Sequence, residues 1–325
     1  MSLLALARNT CQIVRTHKIK LESGGLKNDY AQMKIMARLL LASLSCSIFL
    51  PQMSLARTAS SHRITQTRFS ESARGVPLRE TNLLASQNSP PVSVSPPQRI
   101  DGNLWHSGEF HGLKYRLLYP ANYNSSQEYP LVVFLHGSGE SGNDNVSQIR
   151  NGVELFGDPF YRSQFPAFVL APQCPEDDSW GGYLYENRVS ISQSRLIGLV
   201  KSVQVALRID ADRLLLTGVS MGAIGVWDII ARHPRLFAAA MPIAGAGDPK
   251  TAQRLLNMPI WAFHGSKDFN VSPEDDRNMY DLIRKSGGRM HYTEYSGVGH
   301  NSWDQTFADP FVISWLFEQS RSETD

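Results

Sequence analysis

The sequence predicts an α/β fold in which a mostly parallel central sheet carries helices on both faces. After Arg99, short apolar runs of strand length alternate with longer segments of helical periodicity, which is the pattern of such a sheet. One apolar run turns directly into a helix through a single serine, Ser220. The chain has 325 residues, of which 42% are hydrophobic, enough to form a large buried core.

The N-terminal third does not follow this pattern. Residues 1–98 hold 12 Lys and Arg against 4 Asp and Glu. Within them, residues 33–56 resemble a secretory signal peptide, with basic Lys34 and Arg38, an apolar run at 39–50, and small residues Ser54 and Ala56 at the cleavage positions. The run is shorter than the roughly 20 residues that span a bilayer. We therefore expect an upstream extension and signal peptide over 1–56, no stable membrane span, and export to the periplasm or medium.

The domain organisation follows from composition. Residues 57–98 are rich in Ser, Thr, Gln, Asn and Pro, which predicts a disordered linker before a catalytic domain at 99–325. That domain holds 20 basic against 26 acidic side chains, so no nucleic-acid partner is expected. Three cysteines, Cys11, Cys46 and Cys174, cannot form a disulfide framework, and Cys174 is expected to be a packed thiol.

The elements can be assigned in chain order. Strands are predicted at residues 114–119, 131–135, 167–172, 213–217, 238–243, 260–264 and 290–295. Helices are predicted at residues 190–207, 221–232 and 304–318, and another should begin at Ser272-Pro273.

Ser220 lies in the segment Gly-Val-Ser-Met-Gly at 218–222, between a predicted strand and a predicted helix. A Gly-x-Ser-x-Gly turn in that context holds the serine in a strained conformation with its hydroxyl above the sheet edge. Gly218 and Gly222 are expected where strand and helix approach too closely for a Cβ. The sequence therefore predicts a nucleophile at Ser220.

A serine nucleophile needs a base and an acid that orients the base. Asp268 follows the strand at 260–264, and His300 follows the strand at 290–295, so both should lie at the carboxyl edge of the sheet. The rival acids Glu274, Asp275 and Asp276 are explained by the first turn of a helix. His136 and His264, at other strand ends, are expected to be packed and hydrogen-bonded.

The tetrahedral intermediate of acyl transfer also needs backbone N–H donors. The glycine-rich loop after the strand at 131–135 offers the N–H of Ser138, and Met221 offers another directly after the nucleophile. The loop lacks the Gly-Lys-Ser/Thr ending of a phosphate-binding loop. No His-Glu-x-x-His motif is present, and His106 with His111 is interpreted as a solvated pair, so no metal site is expected.

Five segments together resemble exported esterases of the α/β-hydrolase superfamily. They are Leu-His-Gly-Ser-Gly-Glu-Ser-Gly at 135–142, Phe-Val-Leu-Ala-Pro-Gln-Cys-Pro at 168–175, Gly-Val-Ser-Met-Gly at 218–222, His-Gly-Ser-Lys-Asp at 264–268 and Gly-His at 299–300. The nearest group is the phospholipase/carboxylesterase or predicted-peptidase group, akin to feruloyl and polyhydroxybutyrate-type esterases. The resemblance implies a cofactor-independent ester hydrolase with triad Ser220, Asp268 and His300. Ser141 departs from it, because related chains often have arginine there.

The substrate is less well defined. Trp180 begins an aromatic loop with Tyr183 and Tyr185, and Trp303 follows His300, which fits a pocket for a small-molecule or polysaccharide-linked aromatic or sugar ester, although these rings could simply pack. Two alternatives remain open: a serine peptidase of prolyl-oligopeptidase type with the same triad, and a non-catalytic exported binding protein.

Overall fold

The computed structural model describes residues 104–321, which lie within one of the two units into which the chain divides, residues 86–325. The predicted signal peptide and linker fall outside the described residues. None of the helices in the described range is long and apolar enough to cross a membrane.

An eight-stranded sheet forms the centre of the described fold. Its strands are β1 (Trp105–Phe110), β2 (Leu113–Leu118), β3 (Tyr129–Leu135), β4 (Phe168–Pro172), β5 (Ile209–Val219), β6 (Ala239–Ile243), β7 (Ile260–Gly265) and β8 (Met290–Tyr295). They lie in the order β1-β2-β4-β3-β5-β6-β7-β8. The pairings β1–β2 and β2–β4 are antiparallel and the other five are parallel.

The described range contains six α-helices, of which the last two follow β8: α1 (Pro159–Gln164), α2 (Ile191–Ala206), α3 (Met221–Arg232), α4 (Pro273–Lys285), α5 (Trp303–Ala308) and α6 (Pro310–Glu318). Alternate residues of β3 pack into different cores, because side chains along a strand point to opposite faces. Leu131, Val133 and Leu135 pack with residues of α2, α3 and α4. Val132 and Phe134 pack with residues of α5 and α6. The sheet is thus covered on both faces, as predicted.

Helix α1 was not predicted, and β5 begins at Ile209 instead of Arg213. Two further parts of the chain differ from the prediction. Strand β1 was not predicted because its sequence, Trp-His-Ser-Gly-Glu-Phe, does not alternate between apolar and polar residues. It pairs with β2, and the two strands are joined by a tight turn at His111 and Gly112, which both have positive φ. The single helix predicted at 304–318 is wrong. It is divided into α5 and α6, because Pro310 has no N–H to continue a helix and the Asp309 side chain caps the new one.

The topology places the ends of β3 and β5 at a branch point. The chain leaves β3 toward β4 on one side and leaves β5 toward β6 on the other. In open α/β sheets, ligands bind in the crevice outside the carboxyl ends of the strands at such a point. Both the glycine-rich loop and Ser220 are at this position.

Candidate active site

Ser220 lies in a sharp turn between β5 and α3. Its backbone has φ 54° and ψ −118°, a conformation that a residue with a Cβ rarely adopts, and its N–H donates to Ile243 O at 3.0 Å. A Cβ on Gly222 would lie 2.0 Å from Leu135 O, and one on Gly218 would lie 2.8 Å from the same oxygen. Both glycines are therefore needed for the start of α3 to pack against the end of β3.

His300 and Asp268 complete a continuous hydrogen-bonded series with this serine. His300 Nε2 lies 2.8 Å from Ser220 Oγ, and His300 Nδ1 lies 2.7 Å from Asp268 Oδ2. Asp268 is buried, and its Oδ1 accepts the backbone N–H of Asn270 at 2.9 Å and of Val271 at 3.0 Å. The carboxylate thus favours the Nδ1–H tautomer of His300, in which Nε2 can accept a hydrogen bond from the Ser220 hydroxyl.

The glycine-rich loop after β3 lies against the nucleophile. A Cβ on Gly137 would lie 3.5 Å from Ser220 Cβ. In the described part of the chain, the N–H of Ser138 and that of Met221 have no intramolecular hydrogen-bond acceptor. Met221 is also the first residue of α3, where the helix dipole favours negative charge. Such a pair of donors can stabilise an oxyanion that forms beside Ser220.

A buried network fixes that loop. His136 is 0% exposed; its Nδ1 lies 2.6 Å from Gly137 O, and its Nε2 accepts the N–H of Cys174 at 2.9 Å. Burial lowers the pKa of His136 to about 4, so the ring is neutral. The indole of Trp180 donates to His136 O at 3.1 Å. The prediction that His136 is a packed, hydrogen-bonded histidine is therefore confirmed.

The segment Pro-Gln-Cys-Pro after β4 supports the same region. Gln173 is 1% exposed, and its amide donates to Glu140 O at 3.2 Å and to Asp144 Oδ1 at 2.7 Å. Burial raises the pKa of the Cys174 thiol to about 12, as expected of a packed cysteine. Sequence reasoning missed the role of Gln173, although a polar residue directly after a buried strand was a usable signal.

Glu140 is a half-buried carboxylate at the edge of the glycine-rich loop. Its Oε1 accepts from Asn151 Nδ2 at 2.7 Å. Burial raises its pKa above the usual value, although the Gly137 N–H, Asn151 and the charge of Arg150 oppose the shift. The partners of this carboxylate are thus the Gly137 N–H, Asn151 and the charge of Arg150.

The two tryptophans predicted to bind substrate have different environments. Trp180 is 0% exposed and packs against Gly225 of α3, so it cannot line an accessible pocket, and that prediction is wrong. Trp303 lies edge-on to His300 with ring centroids 5.3 Å apart. Phe269, directly after Asp268, is 93% exposed. Sequence reasoning missed it, because exposure cannot be read from one aromatic residue in a loop.

Within residues 104–321, no three His, Cys, Asp or Glu side chains are grouped as metal ligands would be. The acids considered as rivals of Asp268 lie elsewhere: Asp276 is buried and contacts His264 Nδ1 at 2.7 Å, not His300. Asp276 is therefore both an acid in the first turn of α4 and a hydrogen-bond partner of His264.

Comparisons with known proteins agree with the fold. A family model described as Phospholipase/Carboxylesterase matches residues 179–312. A solved thermostable esterase superposes with a TM-score of 0.63 at 37% identity, over 67% of this chain and 63% of that chain. The feruloyl esterase module from Clostridium thermocellum superposes with a TM-score of 0.51 at 15% identity, over 66% and 87%. The resemblance to the esterases of the α/β-hydrolase superfamily is confirmed, and the chain has the α/β-hydrolase fold.

More distant curated relatives are longer proteins. A probable dipeptidyl-peptidase 5 of Aspergillus flavus is 20% identical over 75% of this chain and 39% of its own length. An uncharacterized secreted protein of Arthroderma benhamiae is 24% identical over 55% of this chain and 22% of its own length. The chain thus spans about two fifths and about a fifth of these relatives. Together with the family match, they support a hydrolase and leave the bond that is cleaved open.

Proposed function

We propose that this protein is a serine hydrolase that cleaves carboxylic esters through a Ser220–His300–Asp268 triad and an acyl-enzyme. The observation that supports it most is the pair of contacts at 2.8 Å and 2.7 Å that joins the serine hydroxyl to the histidine and the histidine to the buried carboxylate. The strained backbone of Ser220 adds weight, because such strain is concentrated at functional positions.

In the proposed reaction, Ser220 Oγ attacks the ester carbonyl carbon while its proton passes to His300 Nε2. The N–H groups of Ser138 and Met221 stabilise the oxyanion. The bond from carbon to the alcohol oxygen then breaks, and His300 returns the proton to the leaving alcohol. Water attacks the acyl-enzyme by the same route, His300 taking its proton and giving it back to Ser220.

Substrate selection is assigned to the aromatic side chains next to the triad. Trp303 contacts His300, and Phe269 projects from the loop that carries Asp268. Tyr185 packs against Ile224 and Val271, and Ile224 lies one helical turn after Ser220. These rings favour an acyl or alcohol group with an aromatic or sugar surface, on a small molecule or a polysaccharide.

Two other functions use the same fold. The match to dipeptidyl-peptidase 5 favours a peptidase as the second candidate, because peptide hydrolysis needs the same triad. A non-catalytic binding protein is the third. The leader-like segment at 33–56 and the similarity to a secreted protein support export in all three cases.

The test compares wild type with Ser220→Ala on p-nitrophenyl acetate, butyrate and octanoate, with an alanyl-anilide alongside. We expect ester turnover that falls about a thousandfold or more in the variant. Faster hydrolysis of the anilide than of the esters would favour the peptidase. Equal inertness of both proteins toward all four substrates would contradict the hydrolase and favour the binding protein.

A further inference from the structure

A second histidine lies directly behind the candidate catalytic acid. His264, at the end of β7, is 0% exposed. Its Nε2 lies 3.1 Å from Asp268 Oδ2 and 3.1 Å from Val271 O. Its Nδ1 lies 2.7 Å from Asp276 Oδ2. Asp268 Oδ2 therefore contacts an imidazole nitrogen of both His300 and His264.

The series of contacts continues into the helix that carries the nucleophile turn. Asp276, in the first turn of α4, is 0% exposed, and its Oδ1 accepts the indole N–H of Trp227 at 2.8 Å. Trp227 belongs to α3, which begins directly after Ser220. A single buried series of side chains thus joins Trp227, Asp276, His264 and Asp268.

The partners fix where the protons lie. Nε2 of His264 faces only acceptors, a backbone carbonyl and a carboxylate, so it must carry a proton. One further proton is shared between Nδ1 and Asp276 Oδ2. Whether that proton resides on nitrogen or on oxygen, the His264–Asp276 pair has no net charge, because one form is imidazolium with carboxylate and the other is imidazole with carboxylic acid.

The electrostatic environment agrees with this count. Burial alone would lower the pKa of His264, but the hydrogen bond and charge of Asp276, the Val271 carbonyl and the charge of Asp268 raise it above its usual value. Burial raises the pKa of Asp276 as well. Both shifts act to retain the proton that the two groups share.

We propose that His264 is a positioning residue: the neutral His264–Asp276 pair keeps an N–H donor directed at the loop of Asp268 and in contact with its carboxylate. The inference rests on the proposed function, since it concerns the acid of that triad. Val271 is held from two sides, because its N–H donates to Asp268 Oδ1 and its carbonyl accepts from His264. Loss of the donor leaves a buried carbonyl unpaired and frees the carboxylate to turn away from His300.

The experiment compares two substitutions of similar volume in the full chain, His264→Gln and His264→Met. The Gln amide can place a donor near the position of Nε2, whereas Met cannot. We expect Met to lower kcat about 10- to 100-fold, the loss that follows when the partner orienting a metal-binding side chain is removed, and to leave KM within about twofold of the wild-type value. Gln should restore most of kcat. Equal loss of kcat in the two folded variants would overturn the positioning role.

Asp276→Asn tests the neutrality of the pair. The Asn carbonyl can accept from Trp227 and its NH₂ can donate to His264 Nδ1, which keeps the proton on Nε2. The neutral pair therefore predicts kcat within about threefold of wild type. A loss in Asp276→Asn as large as that in His264→Met would show that the charge of Asp276 is required, and would overturn the neutral-pair assignment.

A spectroscopic measurement keeps the proposal testable if the variants do not fold. In wild-type protein labelled with [15N]histidine, one ring should keep a slowly exchanging Nε2–H from about pH 5 to pH 8, where an ordinary histidine titrates. The signal must be assigned to His264 and not to His136, which is also buried but whose Nε2 accepts the Cys174 N–H and so carries no proton. An unprotonated Nε2 in the His264 ring at pH 7 would overturn the proposal. A wild type that hydrolyses no ester would instead overturn the proposed function and the positioning role with it, while the Nε2–H would still be observed.

Discussion

Replacing Gly222 by Ala tests whether the nucleophile turn requires the close approach of α3 to β3. The new Cβ would lie 2.0 Å from Leu135 O and 2.5 Å from Leu135 C, whereas real Cβ contacts essentially never fall below 3.0 Å. Helix and strand must therefore separate by about 1 Å, which moves Met221 and Ser220 relative to the glycine-rich loop. A misplacement of ~1 Å costs about 100-fold in rate, and overpacking costs about 1–3 kcal/mol.

The assay combines a thermal melt with ester kinetics on purified Gly222→Ala. For a domain of this size each kcal/mol lowers Tm by about 2–4 °C, so a decrease of ~2–12 °C is expected together with the loss of kcat. Gly139→Ala is the matched control, because a Cβ there meets no atom within 4 Å; its stability should stay within about 0.5 kcal/mol of wild type. Wild-type turnover by folded Gly222→Ala would refute the reasoning.

Four further outcomes are expected. Asp268→Asn should lower kcat by about 10⁴-fold with little change in KM, as loss of the correct tautomer does in serine proteases, and a loss below tenfold in steady-state assays would argue against its role. Because the pKa of His136 falls to about 4 on folding, the unfolded chain binds more protons between that pH and about 6.5. Urea melts should then show about 3 kcal/mol of stability present above pH 6.5 and lost toward pH 4, and His136→Gln should lack that slope; an unchanged slope would contradict a neutral buried ring. Phe269→Ala should raise KM for aromatic esters several-fold while Tm is unchanged, since the side chain is 93% exposed; an unchanged KM would remove it from the substrate surface. Iodoacetamide should leave ester turnover intact, because burial raises the pKa of Cys174 to about 12; inactivation that Cys174→Ser abolishes would contradict this.

The sequence predicted the central sheet and the positions of the triad because both depend on local patterns. Met221–Arg232 and Met290–Tyr295 were predicted with the bounds that the structure has. The helix is an apolar segment that begins directly after Ser220, and the strand lies between the glycine-containing segments at 286–288 and 296–299. Asp268 and His300 follow strands β7 and β8, and neighbouring parallel strands bring such loops to one edge. Their roles in catalysis remain predictions that the kinetic experiments test.

What the sequence could not predict depends on contacts between distant segments. Trp180 and Phe269 are both aromatic residues in loops, yet one is 0% and the other 93% exposed, because α3 covers only the first. Asp276 has the position of an ordinary first-turn acid, and only the packing of α4 against β7 reveals its contact with His264. Such pairings arise from tertiary packing, which local periodicity does not encode.

The most direct test of the central claim is to identify the residue that a fluorophosphonate probe labels in the native protein. The tryptic peptide at 214–232 contains Ser220 as its only serine. We predict a single adduct on that peptide, assigned to Ser220 by fragmentation, and none in Ser220→Ala. Labelling of a different residue, equal labelling of the variant, or no labelling of the folded wild type would contradict the assignment of Ser220 as an activated nucleophile.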